Sequence, residues 1–148
     1  MVPVRAEPSD KAEIVTQLVF GDCYTVLLVQ GKWQQIRTTA DNYVGWMDPK
    51  QHQTVSAEYL AAWQAQDHPR SLDVVQVVSN AKVRIPVTIG ARLPFFDGMT
   101  LRLGDDSYFY NGAATNPQNG HGLHGPADKR TALLMKAGQL FLKAPFLW

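Results

Sequence analysis

The sequence predicts a mainly β protein of two small barrels joined by a helix, with a further helix at the C-terminus. Three observations carry this expectation. Short β-branched and aliphatic runs recur with turn residues close between them, which favours small barrels over a parallel sheet. One stretch of good helix formers, 56–68, separates two such groups of runs. A second helical texture, 131–142, spaces Leu133, Leu134, Ala137, Leu140 and Phe141 for one buried face. The 148 residues have room for one domain or two very small ones.

In the first unit, 1–55, Val26–Val29 forms an aliphatic run that Gln30-Gly31-Lys32 turns. Trp33–Arg37 follows as a strand whose bulky apolar members are Trp33 and Ile36. Asp41-Asn42 marks the next turn, since both side chains stabilise tight turns and tolerate left-handed backbone. Tyr43–Met47 is then a strand stopped by Asp48-Pro49. Ser56 is placed as the N-cap of a helix reaching about His68, ahead of Pro69. A full capping box is absent, because Tyr59 holds the position where Glu or Gln would answer Ser56. This segment, 56–70, is read as a linker helix.

The second unit, 71–127, resumes strand texture. Val74–Val78 is one candidate strand. Val83–Ile89 is another, and Pro86 demotes it to an edge or a bulge. Thr100–Leu103 and Ser107–Tyr110 flank Gly104-Asp105-Asp106 and read as a hairpin. Residues 112–128 are rich in Gly, Pro, Asn and Asp and form a long loop.

Composition excludes several classes. Fourteen basic against thirteen acidic residues give a net charge of +1, which lacks the basic surplus a nucleic-acid binder uses. No apolar run approaches the ~18 to 20 residues of a membrane span. With 45% hydrophobic and 18% charged residues the chain is too apolar for a disordered one. A single cysteine rules out an internal disulfide framework and any multi-cysteine metal site. Cys23 follows Gly21-Asp22 and opens a strand, with no helix N-terminus to lower its pKa, so it is read as a packed thiol and not a nucleophile. His121 and His124 lie in a glycine-rich loop with only Asp128 near in sequence. Catalytic zinc asks for three ligands on rigid elements, so no metal or other cofactor is expected. Trp33 and Trp46 occupy strand positions that favour core packing for at least one of them over a peptide-gripping role.

Val4-Arg5, Pro8-Ser9, Ile14-Val15, Leu18, Gly21-Asp22, Val26-Leu27, Gly31-Lys32-Trp33, Ile36 and Gly45-Trp46 together resemble a bacterial SH3-like domain. More narrowly, Val2–Leu18 and Asp41–His52 look like the SH3 region of NlpC-family cell-wall endopeptidases. Leu142–Trp148 is similar to the segment just ahead of the Asp-Cys-Ser-Gly motif of that family's catalytic domain. The resemblance implies two SH3-like units preceding a papain-like cysteine peptidase domain. Residues 128–148 would be the start of that domain, and its catalytic Cys, His and third polar residue would lie beyond Trp148. No catalytic residue is therefore expected in this chain, and the parent protein is expected to cut the γ-D-glutamyl to diamino-acid bond of murein stem peptides.

The resemblance further implies that the first SH3-like unit helps wall the substrate cleft. By motif, Glu13 in Lys-Ala-Glu-Ile-Val and Tyr43 in Asn-Tyr-Val-Gly-Trp match the residues that read the free amino-terminal L-Ala of the stem peptide. Glu13 is expected on the arm between the first two strands, and Tyr43 at the turn before Gly45-Trp46. A carboxylate pairing with the ammonium and a ring beside it suit that task. The expected partners are thus the stem peptide and the papain-like domain, and the expected location is the bacterial envelope or periplasm, with the cytoplasm as alternative. A different class stands beside this: a free-standing module that binds peptidoglycan or a protein.

Overall fold

A computed structural model describes residues 1–115. Within it, Met1–Ala114 form one compact unit holding two antiparallel sheets. The predicted helix over 131–142, the predicted loop with His121 and His124, and the whole of 128–148 lie outside the described residues.

The first sheet comprises β1 (Val2–Arg5), β2 (Ile14–Leu18), β3 (Tyr24–Gln30), β4 (Trp33–Thr38) and β5 (Val44–Met47), in the order β2-β1-β5-β4-β3. Strand β1 pairs β2 on one side and β5 on the other, through Arg5 opposite both Ile14 and Trp46. The β1–β5 approach needs Gly45, because a Cβ there would stand 2.5 Å from Val4 Cγ1 and 3.0 Å from the Arg5 carbonyl oxygen. Strand β3 meets β4 in a hairpin closed by the Gln30–Trp33 pair, with a register shift between Val26 and Leu28. Val4, Leu18, Ile36 and Met47 meet in the core of this sheet. Each large aliphatic chain so buried contributes about 1.5–3 kcal/mol. Trp33 and Trp46 are both buried, which meets and exceeds the expectation that at least one of them packs.

A short 3₁₀ turn, Pro49–Gln51, leads to α1 (Ala57–Gln64). Ser56 caps it as expected, its Oγ accepting from the Tyr59 N–H at 3.1 Å. The helix stops at Gln64, four residues short of the predicted His68. The Ala65 N–H makes the last helical bond, to Ala61, and His68 then folds back to donate from Nε2 to the Trp63 carbonyl at 2.9 Å. A side chain thereby satisfies one of the carbonyls that the helix end leaves open. Tyr59 and Trp63, four residues apart, form the buried face.

The second sheet comprises β6 (Val75–Ser79), β7 (Arg84–Thr88), β8 (Thr100–Leu103) and β9 (Asp106–Phe109), in the order β7-β6-β9-β8. Pro86 lies on β7, the edge strand, where a missing N–H costs no ladder bond. Val78, Val87, Ala91, Leu93, Leu101, Tyr108 and Tyr110 form its core. The buried Tyr110 hydroxyl lies 2.9 Å from Ser71 Oγ and 3.0 Å from the Ala113 carbonyl oxygen. Among the described residues, two antiparallel sheets and one α-helix give the mainly β, SH3-like arrangement that the sequence predicted.

The two sheets share a seam. Phe20, in the loop after β2, packs against the second core. The Arg92 N–H donates to the Phe20 carbonyl at 2.9 Å, and Arg92 Nε donates to Asp22 Oδ1 at 3.1 Å. Between them Gly21 has φ +81°, and a Cβ there would fall 2.4 Å from the Arg92 carbonyl oxygen. From the linker, Gln53 Nε2 donates to the Leu103 carbonyl and the Tyr59 hydroxyl to the Arg102 carbonyl, at 3.0 and 2.9 Å.

Candidate functional site

Glu13 ends the arm that leads from β1 to β2, where the sequence placed it, and its side chain is exposed. The arm is built, not slack. The Ala6 N–H donates to the Glu13 carbonyl at 3.0 Å, and Arg5 Nη1 donates to the Ala12 carbonyl at 2.6 Å. At the arm's tip Asp10 pairs with Lys32 of the β3–β4 turn at 2.8 Å, a contact exposed on both sides. The carboxylate is thus held on ordered backbone while its oxygens face solvent.

Tyr43 directly precedes β5 and is 42% exposed. Its backbone is held from both sides. The Thr38 N–H donates to the Tyr43 carbonyl at 2.9 Å, and the Tyr43 N–H donates to Thr38 Oγ1 at 2.9 Å and to Asp41 Oδ1 at 3.2 Å. The Thr38 hydroxyl donates in turn to Asp41. These bonds hold the Asp41 carboxyl below the usual carboxylate range, the Thr38 hydroxyl most strongly and the Tyr43 N–H next. Asn42 takes φ +57°, the left-handed backbone that the Asp-Asn turn predicts.

Register brings the two residues to one end of the sheet. Arg5 is opposite Ile14 on one side and Trp46 on the other. Both neighbours run antiparallel to β1, so Glu13, just before Ile14, and Tyr43, three residues before Trp46, emerge beyond the same end with β1 between them. No described hydrogen bond or ring contact joins the two side chains to each other. An exposed carboxylate can receive an alkylammonium group by charge, and an exposed aromatic ring by its face.

The seam holds a second set of polar groups, which the sequence reading missed. A cavity of about 70 Å³ is lined by Asp22, Cys23, Thr38, Asp41, Trp63 and Arg92, among others. Arg92 reaches it from 70 residues beyond Asp22, and its guanidinium also sits 5.1 Å from the centroid of the Trp63 ring. No short-range pattern could have announced such a pairing. Burial, then the Asp22 charge, pushes the Cys23 thiol up to about 11, against a smaller opposing pull from Arg92. A thiol so shifted is not a nucleophile near neutral pH. Among the described residues no group of three or more His, Cys, Asp or Glu could hold a metal ion, and no helix is long and apolar enough to cross a membrane.

Residues 4–51 match the family model described as the bacterial dipeptidyl-peptidase SH3 domain. Among solved structures, the fold is similar to that of an NlpC/P60 family protein from Bacillus cereus, with a TM-score of 0.61 and 21% sequence identity. The match covers 90% of this chain and 48% of that one, so the chain spans about half the length of that structure. No curated protein matches the chain. Both Glu13 and Tyr43 fall inside the matched 4–51 segment.

Proposed function

We propose that the chain is the non-catalytic SH3-like region of a bacterial cell-wall peptide hydrolase, and that it shapes a substrate cleft and recognises the free N-terminal L-Ala of murein stem peptides. The observation that carries this reading is the placement of Glu13 and Tyr43 at one end of the sheet that matches the dipeptidyl-peptidase SH3 family. Glu13 pairs with the ammonium of the terminal alanine, and the Tyr43 ring lies against the same group. Requiring a free amine restricts the hydrolase to peptides already released from the glycan. The chemistry itself, cleavage of the γ-D-Glu to diaminopimelate bond, belongs to a papain-like domain in the parent protein. The setting for such a substrate is the envelope or periplasm, or the cytoplasm where released peptides are recycled.

The direct test titrates the isotope-labelled chain with L-Ala-γ-D-Glu-diaminopimelate and with its N-acetylated form. The expected result is a response at Glu13 and Tyr43 to the free-amine peptide alone. Equal response to both peptides, or none at either residue, would sink the assignment. Sedimentation of the chain with purified sacculi, without any preference for a free amine, would instead favour a free-standing peptidoglycan-binding module.

A further inference from the structure

His68 is buried where the end of α1 meets the second sheet, and both of its ring nitrogens are engaged. The Trp63 carbonyl can only accept, so Nε2, at 2.9 Å, carries a proton. The Phe95 N–H can only donate, so Nδ1, at 3.3 Å, carries a lone pair. The two contacts together require one neutral tautomer. Phe95 itself has φ +56°, a backbone conformation that an aromatic L-residue keeps only when its surroundings hold it there. Its ring fills the junction, 5.1 Å from the His68 ring and 5.2 Å from the Tyr59 ring, with the Arg102 guanidinium 4.5 Å from its centroid.

We propose that His68 is a proton-released latch: the neutral ring ties the end of α1 to the Phe95 backbone, and a proton on Nδ1 frees Phe95 while leaving the helix cap in place. The asymmetry follows from the hydrogen bonds. A proton from solvent takes up the Nδ1 lone pair and sets an N–H against the Phe95 N–H. The Nε2–H bond to the Trp63 carbonyl survives and is strengthened by the charge, as befits a cation at a helix C-terminus.

The charged groups around the ring set how readily this happens. Arg92, stacked on Trp63, opposes a second positive charge, and its partner Asp22 tempers that opposition. Asp67, next in the chain, favours the imidazolium. Arg102 lies over the Phe95 ring that packs against His68. Burial is the largest influence and, with Arg92, keeps the ring neutral to lower pH than a free histidine. An open cleft of about 380 Å³ borders the latch, lined by Ala40, Trp63, Asp67, His68 and Arg92 among others. The proton therefore has a path to the His68 ring from an open surface recess.

The test is a ¹⁵N-resolved titration of the 148-residue chain from pH 7.5 to 4.5, with amide exchange of Phe95 corrected for its intrinsic rate and referenced to Ile36. The expected result is one shared midpoint for the His68 ring and the Phe95 amide, below the ordinary histidine value. Across it, Phe95 protection should fall roughly three- to tenfold, as for one lost hydrogen bond. In His68→Gln, whose amide cannot change charge, that fall should vanish. The wild-type titration decides alone if the variant does not fold: a Phe95 amide that stays flat while His68 titrates overturns the latch. The same fall persisting in His68→Gln also overturns it, and would assign the effect to a carboxylate such as Asp67.

Discussion

Glu13 and Gly21 show how much a single position can carry in a molecule of this size. Glu13 has little structural duty for its side chain, since the backbone of the arm is held by Ala6 and Arg5. Glu13→Gln should therefore leave the melting temperature unchanged. It should weaken the preference for free-amine over N-acetylated stem peptide by about 1–3 kcal/mol, the worth of a hydrogen bond to a charged group. Calorimetric titration of both peptides measures it, and an unaltered preference would remove Glu13 from the site. Gly21 is the opposite case, a position whose duty is structural by its backbone and its contact with Arg92. Gly21→Ala meets both a left-handed φ, worth about 1–2 kcal/mol, and a Cβ placed on the Arg92 carbonyl. Urea unfolding should show a loss at the upper end of that range or beyond it. A neutral result would mean that the Gly21–Arg92 seam is looser than its hydrogen bonds imply.

At the scale of elements, α1 and β3 can be tested separately. The Ser56 hydroxyl accepts the Tyr59 N–H at the start of an eight-residue helix, so Ser56→Ala should cost about 1 kcal/mol. Strand β3 is a sheet edge that is exposed along nearly its whole length, with Leu28 51% and Val29 61% exposed. Such an edge offers unpaired backbone groups beside apolar side chains. Val29→Lys should lower self-association in light scattering at high concentration, with a stability change within about 0.5 kcal/mol. What the sequence revealed of these elements follows from range. The Gly31-Lys32 turn, the left-handed Asn42, the Ser56 cap and the 100–109 hairpin all depend on residues within a few positions, and each could be read. The end of α1 could not, because it is fixed by a side chain turning back from five residues on. Nor could the left-handed Phe95, which no propensity favours and which only tertiary contacts sustain. The arm position of Glu13 and the turn position of Tyr43 were legible through family motifs, while their common sheet end emerges only from the β2-β1-β5 order.

For the whole molecule, pH acts on stability through His68 and Asp97. His68 has its folded pKa lowered, by burial first, so between that value and the ordinary 6.5 the unfolded chain binds more protons than the folded one. Stability is then fully present above pH 6.5 and falls as the pH drops toward the folded value, below which this contribution levels off. Asp97 opens a second window. The Thr100 N–H, the Thr100 hydroxyl and the Met99 N–H hold its carboxyl down to about 2, from 3.8. Its contribution is present above pH 3.8 and is lost as the pH falls toward 2. The expected profile of urea midpoint against pH is therefore a plateau above 6.5, a first decline below it, and a further decline under pH 4. His68→Gln should flatten the first decline and leave the second, whereas Asp97→Asn should leave the first and shrink the second to the part that Asp41 also supplies. Arg92 and Tyr59 link the helix to both sheets, so amide exchange at Ile36 in the first sheet should give the same midpoint as amide exchange at Val78 in the second. Midpoints that separate below pH 6.5 would mean that protonating His68 uncouples the sheets as well as destabilising them, because the contact it loosens is the one through which α1 holds the Phe95 turn.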